Sequence, residues 1–222
     1  MTSDIKEDCH WFMAILLEGH LQSVPVSIFA NVEAPRFHFY SDACDSALVV
    51  LNPTTRQYIW LQFDEVEKEA ILRIKMKTAA RRLSRRLRIK SDQVNIPDTH
   101  DDFSINVREF FAVVLAMELW GPHMSQFSHI THCRAWIDNS AAVTWCNKLA
   151  SPNKLAQQLL RRLSLTLARH KMHLSGSHIP GDWNFMADHG SRVLESQNSA
   201  TIWSSFSNTW SRTQVPPDIR YA

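Results

Sequence analysis

Residues 134–143 read Arg134-Ala135-Trp136-Ile137-Asp138-Asn139-Ser140-Ala141-Ala142-Val143. A short apolar run, 134–137, is strand-like and stops on an acid. From Asp138 the residues favour a helix through about 149, until Ser151-Pro152-Asn153 breaks it. Residues 155–169 form a second helix and 172–179 a second strand. A strand, two helices and a strand make a crossover, and connections of that length join parallel strands.

Reading towards the N-terminus, the pattern changes. Phe37-His38-Phe39-Tyr40 alternates apolar and polar residues, and 47–51 and 57–63 are rich in β-formers. Asn52-Pro53-Thr54-Thr55 between them is turn chemistry, so residues 36–63 predict a three-strand antiparallel meander. An apolar helix is expected over 107–119, stopped by Gly121-Pro122, and a last helix over 184–192 after the Pro180-Gly181 turn. The order β-β-β-α-β-α-β-α predicts an α/β fold with an antiparallel portion followed by parallel strands.

Two segments frame this core. Residues 3–19 predict a helix with Ile5, Cys9, Phe12, Met13, Leu16 and Leu17 at helical spacing, ended by Gly19. Residues 23–35 read as an extended linker. Residues 66–90 carry the apolar series Leu72, Met76, Ala79, Ala80, Leu83 and Leu87, with Arg73, Lys77, Arg81, Arg85 and Arg88 as a basic stripe beside it. Residues 91–104 read as a loop. Residues 196–222, rich in Ser, Thr, Trp and Pro, read as a tail.

A chain of 222 residues, 45% hydrophobic, can bury one good core, so one domain with arms is expected. No apolar run approaches the ~20 residues of a membrane span, so no membrane partner is expected. The first residues are acidic where a signal peptide is basic, which predicts an intracellular protein, cytoplasmic or nuclear and not secreted. Cys9, Cys44, Cys133 and Cys146 lack CxxC spacing and read as reduced thiols. The net charge of +2 conceals an asymmetry: residues 68–90 hold ten Lys or Arg and one Glu, and the remainder 14 basic and 21 acidic residues. An acidic body with one basic segment suggests a polyanionic partner.

Four acids stand at the ends of these elements: Asp42, Glu109, Asp138 and Asp188. Each has a structural explanation. Asp42 fits a strand-end turn. Glu109 fits a capping box with Asn106, and Asp138 a helix N-cap. Asp188 fits a helix first turn, where its charge is favourable. As a set, one carboxylate at each end of a strand-helix-strand-helix series is also what a two-metal site requires, because hard divalent cations take several converging oxygens.

Four segments carry a resemblance. They are Ser41-Asp42-Ala43-Cys44-Asp45-Ser46, Ile105-Asn106-Val107-Arg108-Glu109, Trp136-Ile137-Asp138-Asn139-Ser140-Ala141-Ala142-Val143 and His178-Ile179-Pro180-Gly181-Asp182-Trp183-Asn184-Phe185-Met186-Ala187-Asp188. In order, they resemble four motifs of the ribonuclease H domain of retrotransposon reverse transcriptases. The likeness is closest to the tyrosine-recombinase (DIRS-type) retroelements, as found in oomycetes, and Ser191-Arg192 also fits. It covers residues 36–195. Residues 1–35 then correspond to a helix and linker joining polymerase to nuclease, 64–104 to a basic helical insertion, and 196–222 to the tail.

The resemblance implies a mixed five-stranded sheet, three antiparallel strands then two parallel, with helices on both faces. It implies that Asp42, Glu109, Asp138 and Asp188 are catalytic carboxylates holding two Mg²⁺ ions, with Mn²⁺ as a substitute. The substrate would be an RNA–DNA hybrid cut in its RNA strand, leaving a 5′-phosphate and a 3′-hydroxyl. Asn139 and Asn184 would help orient substrate, Asn139 having a helix cap as its alternative. Arg81 and Arg85 on the basic helix would meet phosphates, the alternatives being a solvated helix or a nuclear-localisation run. A reverse transcriptase polymerase domain is the implied protein partner.

Departures from the family pattern open a second reading. Cys44 stands where Ser is usual and Ala47 where Gly is usual, and residues 180–185 lack the histidine of cellular ribonucleases H. The missing histidine implies that proton transfer differs or relies on water. A module that has lost catalysis while still binding nucleic acid or tethering neighbouring domains fits Cys44, Ala47 and the long insertion at 64–104. Two other features have competing explanations. His170, His173 and His178, or His123, His129 and His132, suggest a transition-metal site. Trp203 and Trp210 suggest base stacking or docking of the tail on the body.

Overall fold

The computed structural model describes residues 2–19, 33–86, 103–124 and 130–221, except the side chains of Ser3, Asp4, Ser84 and Arg85. The loop expected at 91–104 and the linker at 23–35 fall largely outside these residues. Six strands form one mixed sheet: β1 (Phe37–Ala43), β2 (Ala47–Asn52), β3 (Gln57–Gln62), β4 (Thr131–Ile137), β5 (Met172–His178) and β6 (Ser211–Thr213). Their spatial order is β5-β4-β1-β2-β3-β6. β1, β2 and β3 pair antiparallel, whereas β4 pairs parallel with both β1 and β5.

The meander follows from its residues. β2 is Ala-Leu-Val-Val-Leu-Asn and is buried along its whole length, as a strand covered on both faces must be. Asn52 pairs with Gln57 across a four-residue loop, which Arg56 closes with a left-handed φ of 51°.

Helices cover both faces. α3 (Ile105–Met124), α4 (Ser140–Lys148) and α5 (Lys154–Arg169) lie on one side, over Phe37, Phe39, Leu48, Val50, Cys133, Ala135, Ile137 and Leu174. α6 (Phe185–Ser191) and α7 (Gln197–Ser207) lie on the other, over Val49 and Leu51, with Ala187 and Trp203 filling the contact. α3 is buried along most of its length because it is apolar around most of its circumference. It continues through Gly121-Pro122, where a stop was expected. Pro122 lies in the last turn, Trp120 and Met124 are buried on either side of it, and Gly121 passes so close to Met172 that a Cβ would lie 3.2 Å from its Sδ. Packing of the last turn overrides the local breaker.

The expected five strands become six. Residues read as a tail supply α7, then β6, which pairs parallel with the edge of β3, then α8 (Pro217–Arg220). Three residues of β6 show no apolar alternation, and the open edge of β3 selects them. Arg220 anchors this end by donating to the Gln62 carbonyl at 2.9 Å and pairing with Glu67. Trp120 Nε1 donates to Thr213 Oγ1 at 3.0 Å.

The two framing helices dock on unexpected faces. α1 (Ser3–Glu18) lies on α5 through Trp11, whose indole donates to the Arg161 carbonyl and to Ser164 Oγ, both at 3.1 Å. Arg161 pairs with Glu7 and Asp8. The stripe of Phe12, Met13, Leu16 and Leu17 is therefore outward, Leu17 being 76% exposed. α2 (Glu65–Arg86) packs through Ile71 and Ile74, leaving Leu72, Met76 and Leu83 exposed. No helix among the described residues is long and apolar enough to cross a membrane.

Candidate metal centre

The site begins with strand parity. Phe37, Phe39 and Ala43 face the α3 core and Tyr40 the α6 side, so Asp42 shares the face of Tyr40. Ser41 pairs with Ile137 in the parallel ladder, which sets the next residues, Asp42 and Asp138, side by side at the C-terminal ends of adjacent strands. In open sheets with parallel strands that edge is where ligands bind. Glu109 arrives from the first turns of α3. Its Oε1 accepts the Ala43 N–H at 3.0 Å.

The result is convergence. Asp42, Glu109 and Asp138 each offer a carboxylate oxygen within 4.8 Å of the others. Asp42 and Glu109 are only 3% and 2% exposed, and Asp138 faces the cleft half-buried. Ser191 Oγ, from α6, donates to Asp42 Oδ2. Glu109 Oε2 is buried and has no hydrogen-bond partner among the described residues. An orphaned buried carboxylate oxygen is costly unless something binds it. Three converging oxygen donors with no sulfur or nitrogen suit a hard cation.

The electrostatics agree with that assignment. Burial, reinforced by Asp138 and Asp188, pushes Asp42 up to about 7 against the opposing Ser191 hydrogen bond and Arg192. Burial and the charges of Asp42 and Asp138 drive Glu109 well above the carboxylate range. Asp138 is raised by burial and then by Asp188. Like charges gathered out of water hold protons until a cation replaces them.

Asp188 stands beside this trio rather than in it. On α6, its Oδ1 accepts from Arg192 Nε at 2.6 Å, one turn away. Asn184 is buried, donating through Nδ2 to the Ser41 carbonyl at 2.8 Å, so it ties the start of α6 to β1. Asn139 is the cap of α4: its Oδ1 accepts from Ala141 N at 3.0 Å and Ala142 N at 3.1 Å. Its Nδ2 donates to Asn106 Oδ1 at 2.8 Å, so Asn106 lies inside α3 and braces the loop carrying Asp138. Arg81 is exposed on α2 and does not line the acid cleft, and the Arg85 side chain is outside the described residues.

Other residues shape the cleft around the acids. Arg108, buried beside Glu109, donates to the Phe103 carbonyl at 3.1 Å and to Asp45 Oδ1 at 3.0 Å. Asp45 thus serves Arg108 and Lys75, while Asp42 serves the acid cluster. Cys44 lines the cleft as a buried thiol raised by desolvation, donating to the Ser191 carbonyl at 3.0 Å. Ala47 sits in a regular ladder opposite Gln62, with no left-handed φ to demand glycine. Ser191 and Arg192 follow Asp188 by three and four residues, a helical spacing that points them to the same side.

The histidines do not gather around a metal among the described residues. His132 uses both ring nitrogens, towards the Glu33 carbonyl at 2.6 Å and Ser175 Oγ at 2.8 Å. His129 lies outside the described residues. Trp203 is buried against Tyr58 and Phe206, and Trp210 packs on Phe206 with ring centroids 4.5 Å apart.

Comparison of the chain with protein-family models, with curated proteins and with solved structures finds no match in any of the three.

Proposed function

We propose that this chain is a Mg²⁺-dependent endonuclease of the ribonuclease H type, which cuts the RNA strand of RNA–DNA hybrids during retroelement reverse transcription. The observation that carries the reading is the meeting of Asp42, Glu109 and Asp138 at the ends of β1 and β4, with Glu109 Oε2 left unpaired. The order of antiparallel strands followed by parallel ones supports it, as does the resemblance of the four acid-bearing segments.

Asp42, Glu109 and Asp138 would hold the cations, with Asp188 completing the set from α6. Two divalent ions at such a site supply charge that activates water and stabilises the departing 3′ oxygen. The chain's own groups set the stage. Ser191 fixes the Asp42 carboxylate, the Ala43 N–H fixes Glu109, and the Asn139–Asn106 bridge fixes the loop of Asp138. The cleft of about 440 Å³ is open on the side of Asp138, where a phosphodiester would enter. Recognition would rest on the 2′-hydroxyls and the shape of the hybrid. A reverse transcriptase polymerase domain is the protein partner that the resemblance of the acid-bearing segments implies.

A second reading, a nucleic-acid-binding module without catalysis, draws on two observations. Arg192 already holds Asp188, and a buried thiol lines the cleft at Cys44.

Substrate comparison tests the proposal: labelled hybrid, single-stranded RNA and duplex DNA are incubated with Mg²⁺ or Mn²⁺. Hybrid-only cutting, with 5′-phosphate ends on the RNA products, is expected. A folded protein that binds hybrid without cutting it belongs to the second reading.

A further inference from the structure

The acid cleft continues past Asp45. Asp45, Ile105 and Arg108 line both this cleft and a second trough, of about 630 Å³, between α2 and the start of α3. The opposite wall is one face of α2, where Ile71, Ile74, Lys75, Thr78 and Arg82 recur at three- and four-residue spacing. The floor is apolar, built by Ile71, Ile74 and Ile105. The rim is cationic. Lys75 pairs with Asp45, which also accepts from the buried Arg108, so Lys75, Arg82 and Arg108 face a single carboxylate.

Lys75 and Arg82 lie two helical turns apart, roughly 10 Å. An apolar floor for sugars between cations for phosphates suits a nucleic-acid strand leading to the acids. Building on the nuclease reading, we infer that the trough between α2 and α3 is the track for the strand entering the acid cleft, with Lys75 and Arg82 on its phosphates. The binding face of the basic helix is then that of Lys75, Thr78 and Arg82. Arg73 lies on the opposite side of the same helix.

The test is anisotropy of a labelled RNA–DNA hybrid without divalent ions, titrated from about 50 to 200 mM KCl. The wild type is compared with Lys75→Ala/Arg82→Ala and with Arg73→Ala, and hybrid cutting with Mg²⁺ is measured in parallel. Lys75 and Arg82 are exposed, and equal melting temperatures will verify that the variants fold. The double variant is expected to bind at least tenfold more weakly at low salt, with the slope of log Kd against log salt reduced by about two. Arg73→Ala should change neither. A double variant with wild-type affinity and slope overturns the track; if wild type still cuts hybrid, the nuclease reading survives that loss. Wild type that neither binds nor cuts hybrid removes both.

Discussion

At the scale of single residues, the three converging carboxylates make a pH- and cation-dependent stability. Asp42, Glu109 and Asp138 hold protons in the folded chain that the unfolded chain releases near the ordinary carboxylate range, about 4. The native state therefore binds more protons across this window. Without cations, stability must fall as pH rises from about 4 to the raised value of about 7 for Asp42. Mg²⁺ or Mn²⁺ reverses the trend, because its ligands must be ionised. Thermal melting should show cation stabilisation at pH ~8 that disappears at pH ~5. A cation shift equal at both pH values would contradict the ligand assignment. The Asp42→Asn substitution removes the buried charge while keeping its shape. It should raise the cation-free melting temperature, about 2–4 °C for each kcal/mol in a chain of this size, and abolish the cation shift.

The residue types of this site are readable in sequence, and their meeting is not. Asp42, Glu109, Asp138 and Asp188 stand out because each ends or begins an element. That Asp42 lies beside Asp138 depends on the pairing of Ser41 with Ile137, a register that no local pattern encodes. The split between Asp42 and Asp45 is likewise a matter of strand parity and of the buried Arg108. Asn184 looks like a substrate-facing amide in sequence, yet its burial against β1 makes it a brace.

At the scale of elements, close packing of α6 on α7 holds the Ser191–Asp42 contact. A Cβ at Gly190 would lie 2.6 Å from Trp203 Cζ3, and the Trp60 indole donates to the Gly190 carbonyl at 3.0 Å. Gly190→Ala should thus cost about 1–3 kcal/mol by overpacking, read as a lower urea midpoint. An unchanged midpoint would mean that α6 is not pinned there. Asn139→Ala removes a cap from two N–H groups of α4 and should cost about 1 kcal/mol. The elements themselves follow their patterns where the residues are apolar on the buried side. The exceptions have physical causes. α3 runs past Pro122 because tertiary packing holds its last turn. α1 turns its apolar stripe outward because the Trp11 indole and the Arg161 ion pairs fix the other face.

At the scale of the whole molecule, the C-terminal segment completes the sheet. β6 shields the edge of β3, and Arg220 ties α8 to the start of α2 through Glu67. Removing residues 209–222 should lower the melting temperature and produce self-association through the uncovered β3 edge, seen as a larger species by size exclusion. A monomer of unchanged stability would show that the sixth strand is dispensable. A segment read as a tail acquires structure here because pairing, rather than composition, decides it.

The acids are the centre of the account, and one assay addresses them. A labelled RNA–DNA hybrid is incubated with Mg²⁺ and with wild type, Asp42→Asn, Glu109→Gln or Asp138→Asn, each verified as folded. The account predicts hybrid cutting by the wild type and a loss of at least about 100-fold, some 2.7 kcal/mol, in every variant. Cutting that survives in Asp138→Asn, or no cutting by a folded wild type that binds Mn²⁺, would contradict it.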